Sequence, residues 1–305
     1  MTATSRTAGT GVVEGPPRRS GWDLAARVFT GVAVLLTVAM PILGMTRNAV
    51  LFAAIPVSAV IAGRRYGWRV AGLYLAVTFL VANVFENLSI NTGFPFGTYH
   101  YPGSSLRIVD FPVIVAVTYC SLGMICWLIA AALLDNADLR LGDRTAAGWR
   151  VNVVALPVLA AALMTMFDLG IDSAASTIQQ TWIWENGGGV FGVPWTNYLG
   201  WWFVTYVFFQ IFALVLTRRR PSDLPTGGER REPLALALIV YFMIVAVTMI
   251  QFFTVDAATV TDAAGQVWNT DDIYATLFSF NLFGPVVLVV LAAVKLARGD
   301  ADRRR

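Results

Sequence analysis

The stretch FPVIVAVTYCSLGMICWLIAAALL, residues 111–134, runs for 24 residues without an Asp, Glu, Lys, Arg or His. It is long enough to cross a hydrocarbon core of about 30 Å as a helix, and too apolar to be one face of a soluble domain. Seven further apolar segments flank it, at about 25–45, 49–63, 70–90, 151–171, 197–217, 234–255 and 274–297. The second is short and carries Pro56. Composition agrees: 57% of the 305 residues are hydrophobic and 13% charged, about half the charge of a soluble chain. The expectation is an all-α polytopic transmembrane bundle of about eight helices. A membrane domain over 25–297 would lie between a disordered tail at 1–24 and a basic tail at 298–305.

The charges set the direction of the spans. With the N-terminus in the cytoplasm, the inner segments carry 20 of the 22 basic residues, and only Arg47 and Arg107 fall outside. Lys and Arg are retained on the cytoplasmic side, so both termini are expected inside. The net charge of +3 therefore reports topology and is no sign of nucleic-acid binding. Cys120 and Cys126, six residues apart in one apolar run, fit neither a disulfide nor a zinc spacing and read as buried thiols.

Ionisable groups inside a span cost about 3 kcal/mol each on insertion scales. Glu86 and Asp168 carry that cost near the outward ends of the third and fifth segments. Asp172 follows Asp168 at i+4, and Asn83 precedes Glu86 at i−3, on shared helix faces. Asn197, Gln251 and Asn281 lie at similar depth. Taken singly, Gln251 and Asn281 are expected to be interhelical hydrogen-bonding residues. An amide would do that work at less cost than Glu86 or Asp168, so those two read as functional. The acidic segment with Asp256, Asp262, Asp271 and Asp272 reads as a solvated face.

Two outer loops are dense in aromatics and turn residues. Residues 91–102 read NTGFPFGTYHYP, and 182–202 read WIWENGGGVFGVPWTNYLGWW. An aromatic belt at the headgroups explains some of these tryptophans. A Phe-Gly pair beside a proline in both loops, close to the acidic helix ends, suggests segments that cap a site. His100 is the only histidine, which excludes a multi-histidine iron centre.

The blocks Phe85-Glu86-Asn87 … Thr92-Gly93-Phe94-Pro95-Phe96-Gly97-Thr98-Tyr99-His100-Tyr101 and Phe167-Asp168 … Asp172 … Trp182-Ile183-Trp184 … Phe191-Gly192-Val193-Pro194 … Asn197 … Gly200-Trp201 resemble the membrane-bound carotenoid biosynthesis protein family. That family includes the bisanhydrobacterioruberin hydratases. One difference is Ser173 after Asp172, where proline is expected. The resemblance implies a multi-pass protein of a bacterial plasma membrane that hydrates the terminal double bond of an acyclic C40–C50 carotenoid, without cofactor or metal. Its partners would be membrane lipids and other enzymes of carotenoid biosynthesis. Glu86, Asp168 and Asp172 would be the acid and base groups, since a carboxylic acid in apolar surroundings retains its proton more readily. Asn83, Asn87, Phe94, Phe96, Tyr99, His100, Trp182, Trp184 and Asn197 would line the substrate site, aromatic faces steadying a carbocation. A proton or cation transporter, a non-catalytic carotenoid-binding protein and a lyase or cyclase on the same polyene end are the alternatives that the residues leave open.

Overall fold

A computed structural model describes residues 21–43, 48–103, 105–223 and 231–303. The helices are α1 (Gly21–Leu43), α2 (Asn48–Tyr66), α3 (Trp68–Thr92), α4 (Val113–Leu133), α5 (Trp149–Leu169), α6 (Trp195–Thr217), α7 (Arg231–Thr254), α8 (Thr270–Asn281) and α9 (Val287–Arg303). A π-helical turn, Leu282–Val286, joins α8 to α9 in one continuous rod, so the described residues form eight rods. The fold is the expected all-α polytopic bundle, and the chain is a membrane protein. Of the expected tails, residues 1–20 and 304–305 lie outside the described residues, as does Arg47; α1 begins at Gly21 and α9 runs to Arg303.

The uncharged run becomes the centre of the bundle. Every residue of α4 from Tyr119 to Ala132 is buried, and the helix touches α2, α3, α5, α7 and α9. A helix apolar on all sides has no solvent face to offer, so enclosure by other helices suits it. Gly123 allows a close approach there, because a Cβ at that position would meet the Tyr74 hydroxyl at 2.6 Å. Apolar burial drives helices together only weakly in lipid, where packing and interhelical hydrogen bonds of about 0.6 kcal/mol each hold the contacts. Such bonds run from Tyr241 to the Leu163 carbonyl (2.9 Å), from Tyr74 to that of Cys120 (3.2 Å) and between Ser58 and Ser121 (3.2 Å). Cys120 and Cys126 are both buried and free.

Seven helices among the described residues are long and apolar enough to span a bilayer. The remaining rod, α2, has 19 residues with Pro56 inside and Arg64-Arg65 in its last turn. It is packed by α1, α3, α4 and α7, so less of its surface needs to suit lipid. Arg65 is 1% exposed and donates to both oxygens of Asp138, at 2.6 and 2.8 Å, and to Asn136 at 2.8 Å. Tyr66 donates to Asp138 at 2.6 Å and accepts from Trp127 Nε1 at 3.0 Å. This cluster locks the end of the bundle where α4 finishes.

The opposite end carries the irregular chain. Three ribbons lie there: β1 (Tyr99–His100) pairs antiparallel with β4 (Ile183–Trp184), β2 (Arg107–Ile108) with β3 (Phe111–Pro112), and β5 (Thr259–Thr261) with β6 (Val267–Asn269). The β1–β4 pairing ties the two aromatic loops together. Gly93, at φ 79°, closes α3 with its N–H on the Ser89 carbonyl. Ser89 then bonds the Gly97 carbonyl (2.9 Å) and the Phe96 N–H (3.1 Å), folding the first loop back over its own helix. Asp262 departs from the expected solvated face: it accepts from the Ala264 and Gln266 N–H groups and from Trp268 Nε1, shaping the β5–β6 turn.

Candidate active site

Under the β1–β4 ribbon, α3, α4, α5 and α6 enclose a chamber of about 40 Å³. That volume suits one to three waters. Glu86, Asp168 and Asp172 all line it, exposed to only 3%, 1% and 1%. Phe96, Tyr99, Trp182, Trp184 and Asn197 complete the predicted residues found there, with Tyr101, Val115 and Trp201 beside them.

Each carboxyl is held differently. Glu86 accepts from two phenols, Tyr99 at Oε2 and Tyr119 at Oε1, the second at 2.5 Å. Tyr119 is itself fixed by stacking on Trp201, with centroids 4.6 Å apart and planes 16° from parallel. Burial, reinforced by the Glu86 charge, pushes the Tyr99 phenol well above its ordinary value, so it stays a donor. Asp168 and Asp172 share one amide: Asn197 Nδ2 donates to Asp168 Oδ2 at 2.8 Å and to Asp172 Oδ2 at 2.6 Å. Trp182 Nε1 donates to Asp172 Oδ1 at 2.8 Å. Asp168 and Asp172 meet across the turn at Gly170–Ile171, and Asn197 reaches both from the start of α6, just after Pro194.

The chamber is not isolated. It shares Val115, Asp168, Trp182 and Trp201 with an apolar groove of about 160 Å³. Leu51, Phe52, Ile114, Thr118, Met164 and Ile171 line that groove. Phe52 and Ile114 are 48% and 41% exposed, so the groove reaches the outer surface of the bundle. Asp168 is the one carboxyl among the described residues that borders both spaces. The groove is smaller than the roughly 300–1,000 Å³ of a site enclosing a whole small molecule, so it fits the end of a longer one.

Four predicted residues lie elsewhere. Strand alternation buries Tyr99 and therefore turns His100 outward, where it faces Glu185 with Nδ1 3.4 Å from Oε1. Phe94 is 56% exposed and packs beside Phe203. Asn87 accepts from the Asp110 N–H at 2.8 Å, anchoring the first loop. Asn83 is buried and donates to the Phe79 carbonyl, one turn back along α3. Tyr119 was not expected. Its signal was a phenol inside an otherwise uncharged run, since a buried tyrosine hydroxyl usually requires a polar partner.

Among the described residues, no group of three or more His, Cys, Asp or Glu side chains is arranged to hold a metal ion. The profile of a family described as carotenoid biosynthesis protein matches residues 36–265. No curated protein and no solved structure gives a significant match.

Proposed function

The chain belongs to the carotenoid biosynthesis protein family, and on that premise we propose that it hydrates the terminal double bond of an acyclic C40–C50 carotenoid. One observation carries the reading: an apolar groove, open to the bundle surface, shares Val115, Asp168, Trp182 and Trp201 with a small chamber lined by three buried carboxyls. A water-insoluble polyene reaches such a groove from the bilayer, and only its end group enters.

Asp168 is the proton donor in this proposal, because it borders the groove in which the alkene lies. Its proton adds to the less substituted alkene carbon and leaves a tertiary cation on the carbon bearing two methyl groups. The rings of Trp182 and Trp201, which border both spaces, are the aromatic groups that steady that cation in this proposal. Water in the chamber adds through oxygen, and its surplus proton passes to Asp172, oriented by Trp182 and Asn197. Return of that proton to Asp168 resets the pair, so the net change is one water added. Glu86, held by its two tyrosines, orders the water from the opposite wall.

The charge asymmetry supports both termini on the cytoplasmic side of a bacterial plasma membrane, which would set the chamber in the outer half of the bilayer. Expression in a bacterium making acyclic carotenoids, with mass spectrometry of the extracted pigments, tests the proposal. The expected result is a gain of one water that Asp168→Asn abolishes while the protein stays folded in the membrane. Unchanged pigments across several acyclic substrates would refute it and move the transporter reading ahead.

A further inference from the structure

The helix carrying Asp168 is interrupted before Asp172. α5 ends at Leu169, Gly170 and Ile171 form a turn, and a π-helical segment follows at Ala174–Ile178. The turn keeps backbone bonds from the Gly170 N–H to the Met166 carbonyl and from the Ile171 N–H to that of Asp168, both at 3.0 Å, and it has a side-chain support besides. The support comes from the far end of the chain. Asn281, 1% exposed at the end of α8, donates through Nδ2 to the Gly170 carbonyl at 2.9 Å. There is no room for more than a glycine: a Cβ on Gly170 would collide with Asn281 Oδ1 and lie 3.0 Å from its Cγ and 3.1 Å from its Nδ2. Immediately after Asn281, α8 passes into its own π-helical turn containing Pro285. Such turns are rare and concentrate near functional sites. Asn281 also lies outside the stretch matched by the family profile, residues 36–265.

We propose that Asn281 is a positioning residue: by bracing Gly170 it sets the separation and direction of Asp168 and Asp172 for the hydration step. Its catalytic consequence rests on the proposed hydration; the brace itself does not. Asn281→Ala removes the bond and leaves a void beside the break. Gly170→Ala crowds the amide from the other side. Combined, the new methyl takes the vacated space, so the double variant recovers stability over either single variant while still lacking the hydrogen bond.

Two measurements test this on the full chain in detergent micelles. Amide hydrogen exchange across residues 168–175 is expected to rise about tenfold in Asn281→Ala and in the double variant. Ser58→Ala, which removes an interhelical bond between α2 and α4, should leave that stretch unchanged. Turnover is expected to fall about tenfold or more in kcat with KM within about twofold, and to stay low in the double variant despite its recovered stability. Unchanged exchange in Asn281→Ala overturns the brace. Faster exchange with wild-type kcat, or recovery of kcat in step with stability, overturns the catalytic role. If the wild type hydrates nothing, the hydration reading falls, and the exchange data alone still decide whether Asn281 braces the acids.

Discussion

Asn197 holds two buried acids with one amide, so removing that amide should have a cost readable in both stability and turnover. Asn197→Leu keeps the branched side-chain skeleton, with somewhat bulkier ends, and deletes the donors to Asp168 and Asp172, made at 2.8 and 2.6 Å. A hydrogen bond contributes about 1.5–3 kcal/mol to a charged group and about 0.5–1.5 kcal/mol to a neutral one, so with Asp172 ionised and Asp168 holding its proton the loss is roughly 2–4.5 kcal/mol. Asp172 retains Trp182 as a donor, so the expected value is near the lower end, about 2 kcal/mol. Asn197→Asp should be worse, because it sets a third carboxyl where the amide stood. Two unit charges about 3 Å apart repel by roughly 5 kcal/mol at an effective dielectric constant near 20. The assay is denaturation by titrating SDS into mixed micelles, followed by far-UV circular dichroism, with turnover measured on the surviving folded protein. Turnover should fall about 100-fold in Asn197→Leu, since both acids lose their orientation. A loss under about 1 kcal/mol with unchanged turnover would refute the reasoning, because it would mean that neither acid depends on the shared amide.

Tyr119→Phe and Tyr99→Phe each remove one donor to Glu86; each should lower stability by about 1.5–3 kcal/mol. Both should reduce turnover while extracted protein still carries pigment, as read from its visible absorption. Val115→Trp places a large ring where the groove meets the chamber; turnover should be lost with the melting temperature nearly unchanged, and retained turnover would show that substrate does not pass there. At the locked end, Asp138→Ala strands the Arg65 guanidinium and should cost about 3–5 kcal/mol, whereas Arg65→Met with Asp138→Leu should be close to neutral.

The bundle was legible because its signal is redundant. Most spans are long apolar runs with at most one charged residue, and charge alternation gives an independent expectation for the count. The run at 111–134 was legible as a span, whereas its enclosure among five other helices appears only in the fold. The case of α2 differs. Pro56 and the Arg64-Arg65 pair made it the weakest span by hydropathy, and enclosure by four neighbours explains how the fold accommodates it. What pairs Arg65 with Asp138 is contact between residues 73 positions apart, which periodicity does not encode.

The site was legible as residue types and hidden as geometry. Intramembrane carboxyls identify themselves by their cost, and Glu86, Asp168 and Asp172 do converge on one chamber. Which aromatics join them depends on ribbons only two residues long, too short for a period-2 pattern to be seen. One step along β1 separates Tyr99, bonded to Glu86, from His100, facing Glu185 on the surface. Likewise, the i, i+4 spacing of Asp168 and Asp172 suggested a continuous helix, whereas the chain breaks at Gly170 between them. Backbone bonds continue through the turn, Ile171 N–H to the Asp168 carbonyl at 3.0 Å among them, but the regular helical register does not. The break makes their geometry depend on Asn197 and Asn281, amides brought from α6 and α8. The orientation of the acids is therefore a property of the assembled bundle, and the variants at Asn197 and Asn281 probe it without touching an acid.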